Sequence, residues 1–294
     1  MAGLVAANGR GAQSRRLDGT GAAASNPVMR LPLVFLDGPW KLAMGLNALE
    51  SDDWLWRDAG FAAETAERGR LLAEHRNEVL AELPGAAGAV AELVAMVRAF
   101  FALAPAAGML ADLARLAQED LCLLQKQADG QYALTAAILC FPAHWRLGEK
   151  LGRPLREIHA PVPGFAARLA GPVDRFLANL AVERPVWRAN WSVVEDPALF
   201  HPHARVPRAD LTPEQAGEQL WLRVERQTLR RLPETGAVVF TIRTLVRPLV
   251  EIAAMPGVAG AMAARLRELE PGMAGYKGLP GFREPLLAWL DGRA

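Results

Sequence analysis

The feature that most constrains this chain is a change of hydrophobic period near residue 120. Before it, apolar residues recur at helical spacing. After it, two apolar runs flank Asp129-Gly130, a dipeptide that favours a tight hairpin turn. Leu121–Gln127 and Gln131–Leu139 are therefore expected to pair as antiparallel strands. A two-residue turn pairs Ala128 with Gln131, sets Cys122 opposite Ala137 and sets Cys140 opposite Glu119. In that register the two cysteines cannot bond, and both read as small buried side chains.

The flanking segments read as follows. Met1–Pro27 is rich in Gly, Ala, Ser and Arg without a hydrophobic period, and is expected to be a flexible tail ahead of one domain over residues 28–294. Glu64–Leu83 has Leu71, Leu72, His75, Val79 and Leu83 at helical spacing and ends at Pro84-Gly85. Ala87–Leu103 and a shorter Ala107–Leu116 complete the first helical block. Phe141–Pro163 is irregular and proline-punctuated, and Phe165–Leu180 returns to helix. Val186–Val194, Leu220–Leu229 and Val238–Leu245 read as further strands, with a long polar loop over Glu195–Glu218. Arg247–Ala294 reads as helices with Pro/Gly breaks. Helices, a mostly antiparallel sheet with one crossing helix, then helices again make an α+β fold and argue against a doubly wound one.

Composition narrows the function. Thirty-three basic residues balance 32 acidic ones, so the basic excess of a nucleic-acid binder is missing. The longest apolar stretches, Ala99–Ala111 and Ile252–Ala264, are short for a membrane span and contain Pro105 and Pro256. No apolar signal region follows Arg15 and Arg16, so a cytoplasmic location is expected. No phosphate loop, dinucleotide fingerprint or nucleophile elbow occurs. Two cysteines are too few to ligate an iron–sulfur cluster within this chain.

Two constellations remain. His159 precedes Pro161 and Pro163, which are expected to hold Ile158–Pro163 extended and so to aim the imidazole; the competing reading is a loop histidine bonded to backbone. Arg223, Glu225 and Gln227 alternate along one strand, and Arg188 and Asn190 along another. Such polar columns read equally as a solvated face or as a polar pocket for an anion or substrate. His75 reads as partly buried packing. His201-Pro202-His203 has the spacing of a metal pair but lacks a third ligand.

Longer motifs carry a resemblance. They include Asp53-Trp54-Leu55, Glu119-Asp120-Leu121, Cys140-Phe141-Pro142 with Trp145, Glu149-Lys150-Leu151-Gly152 and Ile158–Pro163. They continue through Val173-Asp174-Arg175-Phe176, Trp187-Arg188-Ala189-Asn190-Trp191, Val224–Pro233 and Phe240-Thr241-Ile242-Arg243. Over roughly residues 30–255 the chain resembles the haem-dependent oxidative N-demethylase α-subunit-like family. The resemblance implies a PAS-like sheet that binds haem b through a histidine, assigned here to His159, with His144 as the competing ligand. It implies oxidative removal of a methyl group from a small amine such as dimethylamine, with O2 consumed and formaldehyde released. It also implies electrons from NADPH through separate flavin and iron–sulfur subunits, and no such site is legible here.

Haem propionates need cations, and Arg188, Arg223, Arg226 and Arg243 are the candidates. Glu225, with Arg223 beside it, is the candidate to hold a cationic amine or to relay protons. The rival readings are a PAS-like haem sensor or ligand-binding protein without turnover, and a haem-free interaction module.

Overall fold

The computed structural model describes residues 30–203 and 210–294. The tail expected at residues 1–27 lies outside them. The centre is a seven-stranded sheet in which every strand pairing is antiparallel. Its strands are β1 (Asn47–Ala48), β2 (Leu80–Glu82), β3 (Asp120–Lys126), β4 (Tyr132–Ile138), β5 (Val186–Val194), β6 (Trp221–Arg231) and β7 (Val238–Pro248). They lie in the order β1-β5-β6-β7-β3-β4-β2. Helices precede, cross and follow this sheet, so the α+β class holds.

Side-chain alternation gives the sheet two buried faces. On one, Cys122, Leu124, Leu229 and Phe240 pack with Leu155, Ile158, Phe165, Val173 and Leu177 of the connection between β4 and β5. On the other, Leu121, Leu123 and Val239 pack with the helices Phe61–Glu74 and Ala87–Phe100. The C-terminal helices, from Leu249–Ala253 to Arg283–Asp291, gather where β6 begins and β7 finishes.

Several local expectations change. The hairpin loop has three residues, since Gln127 N–H donates to Gln131 O at 2.8 Å and Gly130 takes φ +84°. A bulge between Leu123 and Leu124 then restores the register, so Cys122 still faces Ala137. Both cysteines are buried and unbonded, and burial pushes each thiol up to about 12.

The helix expected over Glu64–Leu83 stops at Glu74. His75 leaves helical geometry, and after the short turn Arg76–Val79 the chain becomes β2. The open edge of β4 needs partners, and Leu80–Glu82 supplies them where a helix has none to give. His75 is half-buried and bonds Glu78. Leu110–Arg115 is a 3-10 helix. Phe165–Leu180 divides into Phe165–Arg168 and Ala170–Asn179, because the ring of Pro172 cannot continue the preceding turn. The polar loop after β5 contains the helix Pro213–Gln219, started by a Thr212/Gln215 capping box.

Asp120 ties the layers together. Its carboxylate pairs with Arg68 at 2.6 Å, both side chains fully buried, and accepts the N–H groups of Cys140 (2.7 Å) and Phe141 (3.0 Å). Asp120→Ala leaves a buried guanidinium and two backbone donors unmatched. It should cost about 3–5 kcal/mol in urea unfolding; a loss below about 1 kcal/mol would remove this pair from its structural role.

Candidate functional site

The site lies on the sheet face covered by the connection from β4 to β5. Direct cross-strand partners share a face. Arg188 opposes Gln227, Asn190 opposes Glu225, and Ser192 opposes Arg223. The two polar columns of β5 and β6 are therefore one patch. It is buried, not solvated: Arg188, Arg223, Glu225 and Gln227 are all shielded from water.

Within the patch the β6 column is internally bonded. Arg223 Nε donates to Glu225 Oε1 at 3.4 Å, and Gln227 Nε2 donates to Glu225 Oε2 at 3.2 Å. Arg223 also reaches out of the column, donating to Phe141 O at 2.8 Å and Leu199 O at 3.4 Å. Gln227 Oε1 is left without a partner among the described residues.

Arg188 differs from every other arginine of the site. It is fully buried, and none of its three guanidinium nitrogens has a hydrogen-bond partner among the described residues. Burial pulls its pKa from the ordinary 12.5 down to about 9, against the opposing pull of Glu225. A cation left in this state is costly unless an anionic ligand completes it.

His159 is fully buried as well. Its Nδ1 lies 2.8 Å from Leu155 O, an acceptor, so Nδ1 carries the proton and Nε2 the lone pair. Nε2 has no partner among the described residues. Burial lowers the imidazole pKa to about 3, and the charge of Arg188 contributes in the same direction. The imidazole is therefore neutral at physiological pH. Its backbone setting is not the extended one expected from the prolines. After Ile158 the chain turns repeatedly over residues 159–164, with His159 N–H donating to Leu155 O at 3.0 Å and Val162 N–H to His159 O at 2.9 Å. The short helix Leu155–Ile158 runs into these turns and carries the histidine at its end.

Arg226 and Arg243 face the other way. They oppose each other on the reverse face of the sheet. Arg226 donates to Trp54 O and to the backbone and carboxylate of Asp53, and lies 4.2 Å from the Trp56 ring centre. Arg243 is clamped by Asp58 at 2.7 Å and by Glu64 at 2.7 Å. These two arginines anchor the N-terminal layer, and neither is brought to the patch that holds His159 and Arg188.

Two residues join the patch that the sequence did not single out. Lys277, after the helix Pro271–Tyr276, donates to Asn190 Oδ1 at 3.2 Å and Trp191 O at 2.5 Å. Burial lowers its pKa to about 8, while Glu225 raises it. Tyr276 is half-buried beside it, and desolvation and Glu225 both raise its phenol. The one available signal was the rarity of lysine, of which the chain has four.

The remaining histidines form a separate group. His144 lies in left-handed geometry (φ +61°), its Nδ1 3.0 Å from His203 O and its ring stacked on His201 at 5.3 Å. His203 Nδ1 is 2.9 Å from Arg146. Among the described residues, no group of three or more potential ligands is arranged to hold a metal ion. No helix among them is long and apolar enough to cross a membrane.

The model of one family, described as haem-dependent oxidative N-demethylase, alpha subunit-like, matches residues 45–104 and 101–287. The chain belongs to this family. Its name joins haem dependence to oxidative N-demethylation and describes an alpha subunit, one part of a larger system. The patch fits such a cofactor. An imidazole with a bare Nε2 suits an iron ion, and an unpartnered buried guanidinium suits a carboxylate.

The ligand-free protein bears the cost of Arg188. Arg188→Leu removes an uncompensated buried charge and should stabilise that form by about 1–4 kcal/mol in urea unfolding at pH 7. Because the folded pKa is depressed to about 9, this penalty is in full force below pH 9 and fades as pH rises toward 12.5. A destabilised Arg188→Leu protein at pH 7 would contradict the assignment.

Proposed function

We propose that this chain is the haem b-binding subunit of an oxidative N-demethylase, a monooxygenase that acts on a small methylated amine and releases formaldehyde. The observation that carries the reading is the pairing of two buried, incompletely bonded groups on one sheet face, His159 Nε2 and the Arg188 guanidinium. Support for a PAS-like scaffold comes from the antiparallel sheet and from the crossing connection that carries the histidine over it.

In this reading His159 Nε2 would hold the haem iron, and its Nδ1–H bond to Leu155 O sets the tautomer and raises the basicity of Nε2. Arg188 would hold a propionate. Haem, when bound, supplies the reductive activation of O2. The chain's own residues manage the amine and the protons. Glu225 is oriented by Arg223 on one oxygen and Gln227 on the other, and its remaining lone pairs accept N–H from a protonated amine. The same carboxylate would take up and release protons at its Oε atoms. Arg223 holds it in place and ties β6 to the Phe141 and Leu199 backbone. The sheet layers and the crossing connection exclude water from this face, which strengthens each of these contacts.

No nicotinamide, flavin or iron–sulfur motif is legible in the sequence, so reduction falls to NADPH-dependent partner subunits, in a cytoplasmic setting.

Reconstitution with hemin tests the reading. The wild-type chain should develop a Soret band, and His159→Ala should lose it while His144→Ala keeps it. Loss with His144→Ala alone reassigns the ligand. Arg188→Leu should keep the band but weaken haem affinity about tenfold to a hundredfold. Formaldehyde should form from a methylated amine only when a reductase is added. A Soret band with no turnover in the reconstituted system leaves the sensor reading instead.

A further inference from the structure

We infer that Phe165 is a positioning residue for the proximal ligand, an aromatic plate that fixes the plane of the His159 imidazole. The inference rests on the haem reading above. The two rings are stacked, with centres 4.8 Å apart and planes 18° apart, and both residues are fully shielded. An imidazole held by its Cβ–Cγ bond and by one Nδ1 hydrogen bond keeps some swing about Cβ–Cγ, because a carbonyl oxygen accepts over a broad range of directions. A flat ring against its face removes that freedom, because tilting the imidazole opens the stack.

The backbone is built to deliver this ring. Val162 N–H bonds His159 O, and Phe165 N–H bonds Val162 O at 3.1 Å, so the chain doubles back over the histidine within six residues. Gly164 makes the turn at φ +78°, and a side chain there meets Leu42 Cδ2 at 2.9 Å. Both its conformation and its surroundings call for glycine. Phe165 then opens the helix Phe165–Arg168 and faces back toward the imidazole. Leu155 thus sets the position of His159, and Phe165 sets its azimuth. The orientation of the proximal imidazole relative to the porphyrin nitrogens governs the splitting of the iron d orbitals, so it is readable in a spectrum.

The test uses the full chain reconstituted with hemin and poised low-spin with cyanide. The wild type should give one narrow set of electron paramagnetic resonance g values. Phe165→Leu should broaden or shift that set and raise the rate of haem loss to an excess of apomyoglobin by up to about tenfold. Phe165→Met keeps the buried volume, guarding against a variant that does not fold, and should show the same change. Phe165→Tyr keeps the flat face and should restore the wild-type g values. Wild-type g values in both Leu and Met variants, with His159→Ala still abolishing the Soret band, overturn the plate and leave the haem reading intact. A wild-type chain with no Soret band overturns both.

Discussion

The structure depends on how β6 resolves an electrostatic conflict. This strand lies inside the sheet, between β5 and β7, and is buried on both faces, yet it carries Arg223, Glu225, Arg226 and Gln227 in succession with one apolar gap. Each of these groups needs a partner once water is gone. Alternation sends them to opposite faces, and the two faces solve the problem differently. On the reverse face, Arg226 and its neighbour Arg243 are matched by Asp53, Asp58 and Glu64. Those carboxylates hold the first helical block against the sheet. That face is matched, each of these guanidiniums meeting a carboxylate.

The other face is not. Arg223 bonds Glu225, but among the described residues Arg188 has no hydrogen-bond partner. A buried guanidinium without a bonded partner lowers stability, and a fold selected only to persist would replace Arg188 with an apolar residue. An anionic ligand that enters this face removes the penalty, so its binding free energy includes relief of strain already present in the ligand-free chain. On the proposed function, the propionates of haem play that part, and Nε2 of His159 gains its missing partner in the same event.

The sequence shows its fold where one local signal decides the geometry, and conceals it where two elements must compete. Asp129-Gly130 marked the hairpin, and the register at Cys122 came out as expected although the loop holds three residues instead of two, because the bulge at Leu123/Leu124 offsets the extra one. The strand at Leu80–Glu82 was concealed, since its helical spacing is overridden by the unpaired edge of β4, which no local pattern reports. His159 drew notice through its prolines, yet these accompany consecutive turns and not an extended segment. Alternation along β6 placed Arg223 and Glu225 on one face, but the propionate candidates Arg226 and Arg243 required the carboxylates of a distant segment to be located before their role was visible. Lys277 lies 87 residues from the asparagine it binds, a separation that carries no sequence pattern.

The site is therefore a consequence of the assembled layers more than of any one motif. His159 comes from the crossing connection, Arg188 from β5, Glu225 from β6 and Lys277 from the C-terminal helices. None of these elements is near its partners in the unfolded chain, so a ligand that needs several of them binds the native state alone and stabilises it in proportion to the logarithm of its excess concentration. The short-range part is the unit Leu155–Phe165, which contains the histidine, the acceptor of its Nδ1 proton and the ring stacked on its face. This local unit sets how the imidazole is presented, while the long-range packing sets what it is presented to. Ligand orientation and ligand affinity can thus be altered separately, the first within eleven residues of chain and the second across the sheet.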